Sequence, residues 1–169
     1  MSRASVPSSQ RPHATLALVG FLLLVVAAAA FGARFSAASG WYAALQKPSF
    51  QPPAGIFAPV WTALYLVMAV SAWRVWRRPT SSARNVALGL WALQLALNAK
   101  WSWLFFGQHH PRTALVDLCA LLLAVLGYAW ASARTDTPAA WMMAPYVAWL
   151  LFAGLLNLEI VLLNPGLAG

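Results

Sequence analysis

The chain has 169 residues, 62% of them hydrophobic and only 8% charged, with a formal net charge of +8. So few charges cannot cover the surface of a soluble domain, so a soluble all-α protein gives way to a polytopic membrane protein. The basic excess does not mark a nucleic-acid binder, because the arginines gather at the ends of apolar runs, as topology determinants do. A single cysteine, Cys119, excludes an internal disulfide.

Residues 1–13, MSRASVPSSQRPH, are polar and rich in Ser and Pro, and read as a disordered tail. An apolar stretch follows over 14–33, close to the roughly 20 residues that cross a bilayer core. A signal peptide competes for this stretch, since Arg3 and Arg11 precede it and its alanines offer cleavage sites. Its apolar run exceeds the roughly 7–15 residues of an ordinary signal core. The connection over 34–56 is the one long link, and loops beyond roughly 12–15 residues are usually functional or disordered. This one sets Trp41, Tyr42 and Phe50 among Pro48, Pro52 and Pro53, so it is expected to be stiff and packed. Apolar stretches over 57–76, 86–106, 113–133 and 139–163 complete five candidate transmembrane helices, the last following the stop signal Pro138. The expected fold is an all-α integral membrane bundle over 14–164, with a short tail at 165–169.

Basic residues set the orientation. The tail and the second and fourth connections hold Arg3, Arg11, Arg74, Arg77, Arg78, Arg84 and Arg134. The opposite side holds Arg34, Lys47 and Arg112. The positive-inside rule places the N-terminus in the cytoplasm and the long connection outside, in a bacterial cell membrane.

Polar residues inside a membrane are costly and default to functional hypotheses. In the third helix Gln94, Asn98, Trp101 and Phe105 recur at steps of four, three and four, on one face. In the fifth, Tyr146, Trp149, Ala153 and Asn157 do the same, and the second adds Trp61 and Tyr65 one turn apart. Rings on three helices, amides on two and a small Ala153 suit a flat, mostly apolar ligand held by stacking and a few hydrogen bonds. The competing reading is structural: Asn98 and Asn157 as interhelical glue, the rings as packing. Trp73, Trp76, Trp130 and Trp141 lie near helix ends and read as interfacial anchors. Asp117 reads either as the ion-pair partner of Lys100 or as a proton relay, and Glu159 lies near the end of the fifth helix. His109 and His110 lack a third metal ligand, so no metal is expected. Ala92-xxx-Ala96 and Ala120-xxx-Ala124 permit close helix contacts.

Five segments in order, WYAALQKPSFQPP, APVWTALY, QLALNAKWSWLFFG, ALVDL and PYVAWLLFAGLLNLE, resemble the TspO/MBR family. That family includes the bacterial tryptophan-rich sensory proteins and the mitochondrial translocator protein, and the LNLE segment looks more like its bacterial members. The resemblance implies a five-helix bundle, usually a homodimer, with no required cofactor. Porphyrins, haem-related tetrapyrroles, sterols and isoquinoline carboxamides or benzodiazepines would be its ligands, held beneath the first long loop. Carried over by motif, the cavity is lined by Trp61, Trp101, Val116, Trp149, Ala153, Leu156 and Asn157, with Ala58 and Val60 at the top of the second helix. Trp41, Phe50, Tyr65, Asn98 and Tyr146 join this ligand-binding set from the loop and the helix faces. Light- and oxygen-dependent porphyrin breakdown, reported for some bacterial members, would make Trp61 and Trp149 catalytic. A third reading is a ligand-gated regulatory membrane protein without transport or turnover. Departures from the family pattern are Phe50 where many members have tryptophan, Thr113 where animal members have tryptophan, and Gly89-xxx-Leu93 in place of Gly-xxx-Gly. No basic residue follows Glu159, so the C-terminal sterol pattern is missing.

Overall fold

The computed structural model describes residues 10–36 and 40–167, and every regular element among them is helical. Five long helices are α1 (Gln10–Ser36), α3 (Phe57–Trp76), α4 (Ser82–Ser102), α5 (Pro111–Ala133) and α7 (Ala144–Leu163). Two short ones, α2 (Gly40–Ala44) and α6 (Thr137–Trp141), sit in the connections. The expected polar tail lies outside the described residues up to residue 9, and α1 already begins at Gln10. Residues 168–169 of the C-terminal tail lie outside them as well.

Four segments are long and apolar enough to cross a membrane: His13–Phe35, Ala54–Trp76, Pro111–Ala133 and Thr137–Leu163. The fifth long helix, α4, is not among them, because Arg84, Asn85, Gln94, Asn98 and Lys100 dilute its 21 residues. It nonetheless lies deep in the bundle, packed along α5 and against α1 and α3. Two of its polar residues, Gln94 and Asn98, are buried, and Trp91 donates its indole N–H to the Met68 carbonyl of α3 at 3.0 Å.

The helix ends follow local chemistry. Ser81 caps α4 by accepting the Arg84 N–H, and Pro111 opens α5, where a missing N–H costs nothing. The last apolar stretch is broken, contrary to the single helix expected from 139. A short α6 ends at Trp141 and α7 starts at Ala144. Pro145 has no N–H to bond back one turn, which accounts for the interruption. Past Ser102, α4 widens into a π turn over Trp103–Gly107, closed by Gln108 N–H on the Trp103 carbonyl at 2.8 Å. The outer end of α1 lies against this turn. A Cβ at Gly107 would come within 2.9 Å of the Phe35 ring, and one at Gly32 within 3.0 Å of Ser102 Oγ.

The main core lies toward the arginine-rich end, where Met68, Ala72, Val75, Val125, Tyr128 and Met143 are fully buried. Its polar groups are paired: Ser71 Oγ bonds the Tyr128 hydroxyl at 2.6 Å and the Ala139 carbonyl at 2.8 Å. Asp136 caps α6 by accepting the Ala139 N–H, and its carboxylate also takes Arg74 at 3.1 Å and Arg78 at 2.8 Å. Burial alone would raise its pKa, yet the Ala139 N–H and the two guanidiniums hold it below the ordinary value. Trp73 ties α3 to α1 by donating to the Ala14 carbonyl at 2.7 Å, a role beyond that of interfacial anchor. Lys100 and Asp117 form an ion pair at 2.9 Å joining α4 to α5.

Candidate functional site

The candidate site residues fall into two adjoining groups. The first lies between α3 and α7, whose backbones run together over far less of their length than those of α4 and α5 or α5 and α7. Rings fill the space instead. The Trp61 centroid is 5.4 Å from Tyr65 on its own helix, and 6.2 and 6.4 Å from Tyr146 and Trp149 on α7. Trp149 also meets Phe57 at 5.8 Å and Phe152 at 5.7 Å, and Phe152 meets Phe50 of the long connection at 6.3 Å. Edge-to-face and tilted contacts at such distances suit the ring quadrupoles.

One amide holds this seam. Asn98 accepts from the Tyr65 hydroxyl at 2.7 Å and donates to the Tyr146 hydroxyl at 3.0 Å, so one side chain on α4 joins α3 to α7. Its interhelical role is thereby established. Two other polar groups are left over. Among the described residues the Trp149 indole N–H is buried without a hydrogen-bond partner, as are both amide atoms of Gln94, which is 0% exposed and one turn below Asn98. An unmade hydrogen bond at a buried donor costs roughly 1–3 kcal/mol, so each is a place where an added polar group would be welcome.

The second group sits at the opposite end from the Asp136 arginines, beneath the long connection. Trp101 stacks on Phe105 at 5.0 Å and donates to Asn157 Oδ1 at 3.2 Å, while Asn157 Nδ2 donates to the Pro111 carbonyl at 2.8 Å. Asn157 thus joins α7 to α4 and to the start of α5. Trp41 covers this cluster, 5.9 Å from Phe105 and stacked on His109 at 4.4 Å and 15°. His109 holds a left-handed backbone with φ 58°, an arrangement costing roughly 1 kcal/mol or more that the stacked ring helps to fix. The expected packing of the connection is seen at Trp41, Tyr42 and Leu45, which lie against the second group. Tyr42 donates to Gln51 at 3.1 Å, and burial pushes its phenol above the ordinary pKa. Gln46 and Asn164 exchange two hydrogen bonds, at 3.0 and 2.9 Å, that pin the connection to the end of α7.

The remaining candidates divide. Val60 packs on the main core beside Trp61, Leu156 is buried and Ala153 half-buried on α7, and Ala58 is exposed at the start of α3. Val116 stands apart. It is 70% exposed, on an outer stripe of α5 with Leu123, Leu126 and Trp130, while Asp117, Leu118 and Leu121 occupy the inward stripe. Sequence reasoning did not single out Phe57, Phe152, Tyr42, His109 or Asn164 as site residues. Phe152 was within reach, since it stands three residues from Trp149. The Gln46–Asn164 tie spans 118 residues and left no local signal. Two apolar grooves are present on the outside of the bundle, and neither is lined by these residues.

Comparison with known proteins agrees with this architecture. The family model described as the TspO/MBR family matches residues 21–163, from within α1 to the end of α7. The chain is 42% identical to the translocator protein of Bos taurus over 145 residues, covering 82% of this chain and 85% of that one. It is 39% identical to the tryptophan-rich protein TspO of Chlorobaculum tepidum over 155 residues, covering 89% and 96%. The tryptophan-rich sensory protein of Cereibacter sphaeroides is 38% identical over 124 residues, covering 73% and 77%. Animal and bacterial relatives fall in the same range of identity, so overall likeness does not single out the bacterial branch. With the match running through all five long helices, this chain is a membrane protein belonging to the TspO/MBR family.

Proposed function

We propose that this protein is a translocator or sensor that binds a porphyrin or haem-like macrocycle between α3 and α7, beneath the 40–56 segment. The observation that carries the reading is the seam itself. Rings rather than backbones separate two helices, and one of those rings, Trp149, holds a buried indole N–H with no partner. A flat macrocycle entering there exchanges ring–ring contacts for ring–macrocycle contacts and brings an acceptor to that N–H. Isoquinoline carboxamides fit the same description, having a flat bicycle and one amide oxygen. On this reading α4 is the fifth membrane span. Its mid-span amides Gln94 and Asn98 are tolerated because they are buried against protein, and the arginine-rich end lies in the cytoplasm of a bacterial cell. A homodimer is proposed on the same footing, with the outward face of α4 around Gly89 as its seam, where nothing lies within 4 Å of an added Cβ.

The test is a titration of detergent-solubilised protein with protoporphyrin, read by quenching of tryptophan fluorescence. Trp149→Ala and Asn157→Ala should weaken the apparent affinity, while Trp130→Ala, at an exposed ring on α5, should not. Equal affinities for all four proteins would overturn the site. A second reading is supported by the 6.4 Å separation of Trp61 and Trp149, which would set two indole electron donors beside one photoexcited macrocycle. If the protein degrades porphyrin, illumination in oxygen should yield a new absorbing product, strongly reduced by Trp61→Phe. Bleaching no faster than with free tryptophan would dismiss it.

A further inference from the structure

At the arginine-rich end, a groove of about 480 Å³ opens on the outside of the bundle between α5, α6 and α7. Ala129 and Ala133, one turn apart, form the α5 wall. Ala144, Ala148 and Leu151 form the α7 wall, and Trp141 closes one end. Alanine on both sides leaves a trough where larger side chains would interdigitate, and its size lies within the roughly 300–1,000 Å³ of small-molecule sites. Trp130 and Trp141, 61% and 74% exposed, flank it in the manner of rings at a membrane interface.

The charge around this groove is lopsided. Arg74, Arg77, Arg78, Arg84 and Arg134 share the end with a single carboxylate, Asp136, which Arg74 and Arg78 occupy. Arg77 lies over the Trp73 ring, and Arg84 bonds the Trp76 carbonyl and Asn85. Arg134 lies over the Trp130 ring at 3.6 Å, with no carboxylate partner among the described residues. Trp130 and Arg134 each follow a groove-lining alanine by one position, which sets the stacked pair on the face of α5 next to the groove. A guanidinium stacked by its face keeps its N–H edge for a planar or tetrahedral anion.

The geometry points to a lipid site in which an anionic phospholipid lays an acyl chain in the groove while its phosphate pairs with Arg134. A second copy of the chain fits less well. A two-fold contact through this face would bring Arg134 of each copy together with no carboxylate of the described residues between them, and like charges across an interface are repulsive.

The test uses the full chain, delipidated in detergent, with phosphatidylglycerol or phosphatidylcholine of identical acyl chains. Native mass spectrometry should show about fivefold more bound phosphatidylglycerol at equal lipid, the scale expected of one basic residue near an anionic headgroup. Arg134→Gln should remove that preference while leaving phosphatidylcholine binding in place. Ala148→Phe, which fills the groove, should reduce binding of both, and Ala144→Leu repeats the test should the larger filler not fold. Equal binding of the two lipids by wild type would overturn the charge pairing. Unaltered binding by the groove-filling variants would overturn the groove. A change in oligomeric state on filling it would assign the face to a second copy instead.

Discussion

Removing the Asn98 side chain tests the architecture of the seam. Asn98→Ala deletes both the 2.7 Å bond from Tyr65 and the 3.0 Å bond to Tyr146, leaving two phenol hydroxyls among apolar neighbours. Side-chain hydrogen bonds inside membranes average about 0.6 kcal/mol and reach about 1.7. The two together are worth about 1–3 kcal/mol, and a chain of this size loses roughly 2–4 °C per kcal/mol, so a fall in Tm of about 2–12 °C is expected. Thermal unfolding in detergent measures it. A cycle with Tyr65→Phe isolates the pair, and the double variant should cost less than the sum of the singles by about 0.5–1.5 kcal/mol. An Asn98→Ala protein melting with wild type, or strict additivity with Tyr65→Phe, would refute the claim that this amide joins α3 to α7.

Three further outcomes follow from the buried polar groups. Lys100→Met strands Asp117, whose side chain is only 2% exposed, and should destabilise by about 3–5 kcal/mol; Lys100→Met with Asp117→Asn should recover most of that loss in the same melting assay. Gln94→Leu removes an amide that has no partner and should raise Tm by the equivalent of about 1–3 kcal/mol; a fall would show that something beyond the helices satisfies it. Because the Asp136 carboxyl titrates below its unfolded value, its contribution is fully present above about pH 4 and is lost as pH falls through the lowered folded pKa. Asp136→Asn should therefore lower Tm at neutral pH and flatten the acid limb of the stability curve, and parallel acid limbs for the two proteins would contradict the assignment.

Much of the fold was legible because lipid imposes simple rules. The spans over 57–76 and 113–133 are apolar runs with one charged residue each, and α3 coincides with the first of them. The shared face of Gln94, Asn98, Trp101 and Phe105 survives the transition from α helix to π turn and points inward as its period requires. What was not legible lies where two local signals compete. Pro138 was taken as the stop before the last span, yet Pro145 governs where the long helix starts. At Val116, carry-over by motif pointed into the cavity. The outer stripe of α5, with Val116, Leu123, Leu126 and Trp130 exposed, shows the helical period directing it outward. The separation of the site residues into two groups, one under Trp41 and one along Trp61 and Trp149, depends on how α3 and α7 are spaced. No spacing within either helix encodes that distance. Nor does any local pattern announce that Gln46 and Asn164 clasp the connection to the far end of the chain.

The central claim is that the ring seam between α3 and α7 receives the ligand, and a structure of the protein bound to protoporphyrin tests it most directly. The macrocycle should lie between Trp61 and Trp149, with their 6.4 Å contact opened and an acceptor within hydrogen-bond distance of the Trp149 indole N–H. A macrocycle bound on the outer face of the bundle, with Trp61, Tyr146 and Trp149 still in their present contacts, would contradict it.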